Sequence, residues 1–356
     1  MMLRPVLQKH PKLMKPDKPG VFLGIDSSAY TTSLALVSED RSITAEERIV
    51  LAVPEGARGL RQSEAVYQHL KNMPVLFKRI ESELGSHRIA GIAVSTRPEN
   101  REESFMPVFN AGISFAETVS SVTGAPLMRT AHQENHLEAA AFSSGETLPE
   151  RFLGVHFSGG TSEILDVTRT ARGYNCSRLA QSLDLKAGQL IDRTGVLMGL
   201  GFPAGKDLEK LALSAENGSA RSCGTGDGVV IPVAMDGADF HFSGQENKIT
   251  RLLQDGARQD ETALALFRMI ARTLNRSLRL LTGQTGLKTV LFSGGVMANG
   301  IIHRELQDKL APAGIHLVFS DPRYSSDNAC GNALLAQRFF AERKTNAGTV
   351  TECFTG

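Results

Sequence analysis

Hydrophobic residues along this chain fall into short unbroken runs and longer helical stripes. Residues 21–27 (VFLGIDS) stay apolar until a polar tip, the pattern of a strand buried on both faces. Ser27-Ser28-Ala29-Tyr30 reads as a turn, and residues 31–38 (TTSLALVS) as a second strand. A polar-tipped strand turning straight into another strand is a β-hairpin, not the strand-to-helix turn of a P-loop or dinucleotide fold. The unit recurs: FLGIDSSAYTTSLALV at 22–37 is echoed by FLGVHFSGGTSEILDV at 152–167. Such self-similarity points to a duplicated domain. A third strand, 289–295 (TVLFSGG), ends in glycines and leads into a predicted helix over 297–310.

Helical periodicity covers 60–83 through Leu60, Val66, Leu70, Met73, Val75, Leu76 and Ile80, with Pro74 expected to break or kink it. Further helices are predicted over 105–123, 131–142, 182–198 and 260–284, with a last one from about Asn328 to Arg343. The 182–198 stripe consists of Leu183, Ala187, Leu190, Ile191, Thr194 and Leu197. Strands alternating with helices predict an α/β architecture. Only SSGETLPE, near residue 150, marks a boundary. The expected organisation is a basic arm at 1–20, domains at 21–150 and 151–345, and a tail at 346–356. The final helix is free to pack back on the first domain.

Composition narrows this picture. The 356 residues suit two domains, and 41% hydrophobic with 22% charged residues excludes global disorder. A net charge of +1 argues against a protein that grips nucleic acid unaided, while a local patch stays open. The 34 glycines exceed the usual share of about 7%, suggesting tight turns or close backbone–ligand approach. Cys176, Cys223, Cys330 and Cys353 form no CxxC pair and read as reduced thiols. There is neither a secretory h-region nor an apolar run of roughly 18 residues, so a cytoplasmic protein is expected. Arg4, Lys9, Lys12, Lys15 and Lys18 read as a solvated lead-in, or as a basic arm for RNA or an acidic partner.

Four segments carry candidate chemistry. His132 and His136, at i and i+4, share one helix face and can share a metal ion. Glu134 sits two residues past the first histidine, away from that face, which argues against the H-E-x-x-H hydrolases. Alone, the pair also fits ordinary surface histidines. Ser158-Gly159-Gly160-Thr161 could cradle phosphate through its backbone. Asp26-Ser27-Ser28, Ser158-Gly159-Gly160 and Ser293-Gly294-Gly295 all end strands, as a nucleotide cleft between two domains would need. Asp192 could accept ribose hydroxyls, with the Pro203-Ala204-Gly205 turn against a flat ring. Asp327 reads either as a helix N-cap or as a third metal ligand.

Taken in order, HxxxH, SGG, LDxxAGxxxDRTxxLxGLGxPxG, FxFSG, GGVxAN and SDNA resemble the tRNA threonylcarbamoyladenosine synthases (TsaD-type), formerly called O-sialoglycoprotein endopeptidases. The resemblance spans about residues 21–340. It implies the actin/sugar-kinase fold, two duplicated domains closing on a nucleotide cleft. It implies transfer of threonylcarbamoyl from threonylcarbamoyl-AMP to N6 of the adenosine beside the tRNA anticodon, with one Fe2+ or Zn2+ ion bound. By position, the metal ligands would be His132, His136 and Asp327. The ligand-binding strand end would be His156, Phe157, Ser158, Gly159 and Gly160. Nucleoside contacts would be Asp192, Gly205, Glu209 and Asn299. Some relatives place a metal-binding Tyr where this chain has His156, which makes His156 a candidate fourth ligand. Partner subunits and a dimer or hetero-oligomer are implied, and no membrane.

Departures are specific. The family's E-T-S-C-D-E-T is here Asp26-Ser27-Ser28-Ala29-Tyr30-Thr31-Thr32, so Tyr30 and Thr31 replace two acidic residues. The family's G-P-G-L region is the charged segment from Arg97 to Glu103. These changes leave the metal and nucleotide shells largely intact and fall on the acceptor side. The rival readings are a non-catalytic nucleotide- and metal-binding paralogue that scaffolds a tRNA-modifying complex, and a small-molecule kinase of the same fold.

Overall fold

The computed structural model describes residues 18–28, 30–54, 60–101, 103–219 and 229–351. The arm up to residue 17, Cys223, Cys353 and residues 352–356 lie outside the described residues. The first half contains β1 (Gly20–Asp26), β2 (Thr31–Ser38), β3 (Ile43–Val50), α1 (Gln62–Arg79), α2 (Glu81–Ser86), β4 (Arg88–Arg97), α3 (Phe109–Thr123), β5 (Leu127–Ala131) and α4 (His132–Ser143). The second contains β6 (Arg151–Phe157), β7 (Ser162–Thr170), β8 (Gly173–Gln181), α5 (Ala187–Leu197), α6 (Gly205–Ser219), β9 (Ala234–Asp236), β10 (Asp239–His241), α7 (Ser243–Gln254), α8 (Gln259–Thr285), β11 (Thr289–Ser293), α9 (Gly300–Leu310), β12 (His316–Phe319), α10 (Pro322–Ser325) and α11 (Cys330–Thr351).

The two halves repeat one topology. The first sheet has the order β3-β2-β1-β4-β5, and the second β8-β7-β6-β11-β12. In each, the first three strands of the half run antiparallel and the last two lie parallel beside the first. β1 and β6 are therefore equivalent central strands, as the sequence repeat predicts. Burial on both faces explains their apolar runs. Val21, Leu23 and Ile25 pack with Met73 and Leu76 of α1 in one core. Leu153, Val155 and Phe157 pack with Leu266, Ile270 and Leu274 of α8 in the other.

The last helix returns to the first half, where it covers β1, β2 and β4 and lies along α4. Two glycines make that contact possible. A Cβ at Gly24 would stand 2.2 Å from the Ala329 carbonyl oxygen, and one at Gly331 would stand 1.9 Å from the Asn135 oxygen. Asparagines tie the join. Asn332 Nδ2 donates to the Ile25 carbonyl at 2.8 Å and to Ser95 Oγ at 2.9 Å. Asn135 accepts from the Asn332 N–H at 2.8 Å and donates to the Asn328 carbonyl at 2.5 Å.

Several expectations require correction. α1 runs unbroken through Pro74, because that proline lies on the exposed face, where the carbonyl it leaves unpaired meets water. Its buried face is Ala65, His69, Met73 and Leu76, whereas Leu70 and Val75 are exposed. The 182–198 helix starts only at Ala187, because Asp184 ties the preceding turn by accepting from the N–H groups of Leu185 and Phe242. The 297–310 helix begins with a 3-10 turn and becomes α-helical at Gly300. α11 extends to Thr351, into the expected tail, with no proline to stop it.

Gly331→Ala is expected to lower the unfolding free energy by about 1–3 kcal/mol or more, since backbone must move to admit the methyl group. Gly85, whose Cβ would meet nothing within 4 Å, is the control; Gly85→Ala should be neutral or stabilising. Denaturant melts of both variants check this, and equal midpoints would contradict the tight-join account.

Candidate metal centre

β5 runs directly into α4, so the first residue of the helix, His132, projects from the sheet edge. Ala131 has no capping side chain. Glu134 supplies the cap instead, accepting from the Ala131 N–H at 2.9 Å and the Tyr174 N–H at 3.1 Å. That engagement turns Glu134 away from the histidines, as its position predicts. His132 and His136 bring their Nε2 atoms to 3.0 Å. Asp327 Oδ1 lies 3.3 Å from His136 Nε2 and 3.5 Å from His132 Nε2. Asp327 is free for this role because Asn328 caps α11, its Oδ1 accepting from the Cys330 N–H at 2.9 Å.

Two imidazole nitrogens this close need a hydrogen or a metal ion between them: an N–H of one ring donated to the lone pair of the other, or a bound cation. With a proton, burial disfavours charge on His132, but Asp26 and Asp327 outweigh it and push its pKa up to about 10. Burial and the neighbouring charge of His132 hold His136 below its ordinary value. Burial opposes the charge on Asp327, yet the two imidazoles hold its carboxyl well below the usual range. A divalent ion can take the place of that proton. The three ligand atoms lie within 4.8 Å of one another, and among the described residues no other His, Cys, Asp and Glu side chains gather this way. Two imidazoles and a carboxylate suit a first-row transition ion.

His156 stands beside this group rather than within it. Its ring centroid is 4.7 Å from that of His136, and both its ring nitrogens are buried without a partner. Sequence reasoning placed Asp26 in a strand-end turn for a nucleotide and missed its pairing with His132: it is buried at the tip of β1 with Oδ1 3.1 Å from His132 Nδ1. The repeat held a signal for that pairing, since Asp26 and His156 occupy the same place in the two copies of the FLG motif.

A cleft of about 1050 Å³ opens between the halves, lined by Tyr30 and Pro54 on one side and by Gly159, Asp192, Phe202 and Thr250 on the other. Tyr30 and Phe202 meet edge to face at 6.2 Å. Of the predicted nucleotide contacts, Gly159 and Asp192 line this cleft. Asp192 also accepts from the Ala204 N–H at 2.9 Å, and burial pushes its carboxyl up. Gly205 opens α6. Ser158 Oγ closes its own turn by accepting from the Gly160 and Thr161 N–H groups. The Phe157 side chain is fully buried in the core, so only its backbone could reach a ligand. Glu209 accepts from the Gly300 N–H at 2.6 Å, and Asn299 Oδ1 accepts from Ile301 and Ile302; both hold the start of α9.

The duplicated sheets closing on a cleft define the class of protein: the actin/sugar-kinase fold, here with a His-His-Asp cluster. Solved structures agree. T. kodakarensis HypF superposes with a TM-score of 0.58 at 14% identity, covering 91% of this chain and 48% of that one. Component A of the Acidaminococcus fermentans (R)-2-hydroxyglutaryl-CoA dehydratase gives 0.54 at 15% identity, covering 90% and 99%. At such identities the likeness shows the fold alone. The sequence model of the tRNA N6-adenosine threonylcarbamoyltransferase family matches residues 45–334, and the chain belongs to that family. Proteins of that name from Thermus thermophilus and Fusobacterium nucleatum are similar. The first is 29% identical over 320 residues, 89% of this chain and 92% of its own length. The second is 23% identical over 346 residues, covering 94% and 95%.

Behind the centre, Glu163 pairs in register with His156 and is buried, accepting from Gln133 Nε2 at 2.5 Å. Burial, then the charge of Glu99, pushes its carboxyl to about 7. A raised acid favours the fold fully below its unfolded value of about 4.5 and loses that contribution as pH rises through about 7. Glu163→Gln should therefore leave stability unchanged at pH 4 and raise it at pH 8, by on the order of 2 kcal/mol. Denaturant melts at the two pH values check the sign.

Proposed function

We propose that this protein transfers threonylcarbamoyl from threonylcarbamoyl-AMP to N6 of the adenosine beside the tRNA anticodon, with a divalent metal held by His132, His136 and Asp327. Membership of the family supports transfer to tRNA. The convergence of those three ligand atoms carries the metal-dependent reading. A bound ion would supply Lewis-acid polarisation to the carbamoyl oxygens. The protein's own residues supply position. At Gly159 and Gly160 a Cβ would meet open space, so a phosphate can approach this turn closely at the Gly159 backbone, while the Gly160 N–H is taken by Ser158 Oγ. Asp192, on the cleft wall, suits ribose hydroxyls. The N6 lone pair attacks the carbamoyl carbon, the bond to the phosphate oxygen breaks, AMP leaves with that bonding pair, and N6 gives up a proton to water. No covalent enzyme intermediate is needed.

The same reading takes 21–150 and 151–345 as the two closing domains, with α11 crossing back to the first. The metal is iron or zinc, with His156 as an added ligand or a contact to the bound acyl group. The remaining predicted contacts at His156, Phe157, Gly205, Glu209 and Asn299 belong to this proposal. The net charge of +1 makes partner subunits the source of the tRNA-holding surface, in a cytoplasmic hetero-oligomer. None of the described helices is long and apolar enough to cross a membrane.

The test is reconstitution with threonine, bicarbonate, ATP, the adenylate-forming enzyme, partner proteins and tRNA, scored for modified adenosine. His132→Ala and Asp327→Ala should each cut turnover by roughly 100-fold or more. Tight metal and nucleotide binding without transfer would point to the scaffold, and ATP consumption driven by a small alcohol to the kinase. Unchanged metal content in His156→Ala would remove His156 from the ligand set.

A further inference from the structure

We propose that Asp26 is the positioning residue of the metal centre: its carboxylate accepts the Nδ1–H of His132 and so commits Nε2 of that ring to the metal. The inference rests on the metal reading above. A neutral imidazole carries one N–H and one lone pair, and the partner of one nitrogen decides what the other offers. Here the partner is a carboxylate. Asp26 Oδ1 is 3.1 Å from His132 Nδ1, while Oδ2 is held by the Ser28 N–H at 3.2 Å and by the Ser28 hydroxyl. Asp26 is fully buried and accepts only from within the protein. With Nδ1–H engaged, the lone pair on Nε2 points at His136 Nε2 and Asp327 Oδ1, and neither can donate to it once His136 also acts as a ligand. A cation is the partner that suits all three.

The two histidines differ in this respect. His136 Nδ1 is buried with no hydrogen-bond partner. The residue equivalent to Asp26 in the second copy of the repeat is His156, which lies beside the His136 ring without bonding to it. Each metal-facing histidine thus has a neighbour from the tip of a central strand, and only one of those neighbours is a carboxylate. A carboxylate behind a ligating imidazole makes it more basic and fixes its ring. His132 is therefore the anchoring ligand. The placement of Asp26 is rigid, because Gly24, two residues earlier on β1, is pressed under the start of α11, the helix that follows Asp327.

The test uses the full-length protein and zinc as the probe. In zinc-loaded wild-type protein with 15N-labelled histidine, His132 should show a metal-bound Nε2 and a protonated Nδ1; a metal-bound Nδ1 would overturn the proposal without any variant. Asp26→Asn should lose 10- to 100-fold in zinc affinity against a chromophoric chelator. Asp26→Glu should recover most of that loss, and Ser28→Ala, which loosens the same turn, should lose much less. In a His132→Ala background, Asp26→Asn should cost little further affinity. An Asp26→Asn variant that binds zinc as tightly as the parent, or that loses as much without His132, would show the role to be structural only. If the parent protein takes up neither zinc nor iron, the metal reading falls, and this one with it.

Discussion

The centre depends on how closely the first turn of α11 is pressed between β1 and α4. At Gly24 and Gly331 no Cβ fits between backbones. That contact fixes three things at once: the tip of β1 with Asp26, the start of α4 with the histidine pair, and the loop that carries Asp327. The buried asparagines Asn135, Asn328 and Asn332 satisfy the backbone groups that so close an approach would otherwise strand. His132, His136 and Asp327 come from distant parts of the chain, and the same packed join brings them together. A cluster framed by packed backbone and buried hydrogen bonds is the kind of arrangement that pre-organised electrostatics uses.

Duplication explains the scaffold, and divergence between the copies explains the chemistry. Both halves carry a polar residue at the tip of their central strand, but one tip has Asp26 and the other His156. The second half keeps the glycine-bearing turn after its tip, while the first has Tyr30 facing Phe202 across the cleft. The cleft wall is thus more aromatic at Tyr30 than the family pattern, which has an acidic residue at that position.

Much of this was legible in sequence. The hairpin repeat is visible because central strands buried on both faces are almost wholly apolar, and the shared topology of the sheets follows from it. The histidine pair is visible through helical spacing. Asp327 could not be separated from a helix cap, since Asp and Asn cap equally well and the next residue, Asn328, takes the capping role. β3, β4, β5, β8, β9, β10 and β12 escaped detection. β3 lies half exposed at a sheet edge with Glu46-Glu47-Arg48 in its middle, and β5 is only five residues long and runs straight into α4. Pro74 misled because a proline on a solvent face interrupts no buried hydrogen bond. Phe157 was carried along by its neighbours, although a strand sends alternate side chains to opposite faces. The pairing of Asp26 with His132 was missed because the two lie far apart along the chain.

The return of α11 to the first half also has a temporal side. On the ribosome, β1 and the histidine helix emerge long before residues 327–332, which complete their surroundings. Until then, the apolar face of β1, including Phe22, and the backbone beside Gly24 lack the helix that covers them. The nascent first half is therefore an open sheet bearing two histidines with no carboxylate between them. The His-His-Asp cluster can close only after the second half has been made, which ties its assembly to completion of the chain.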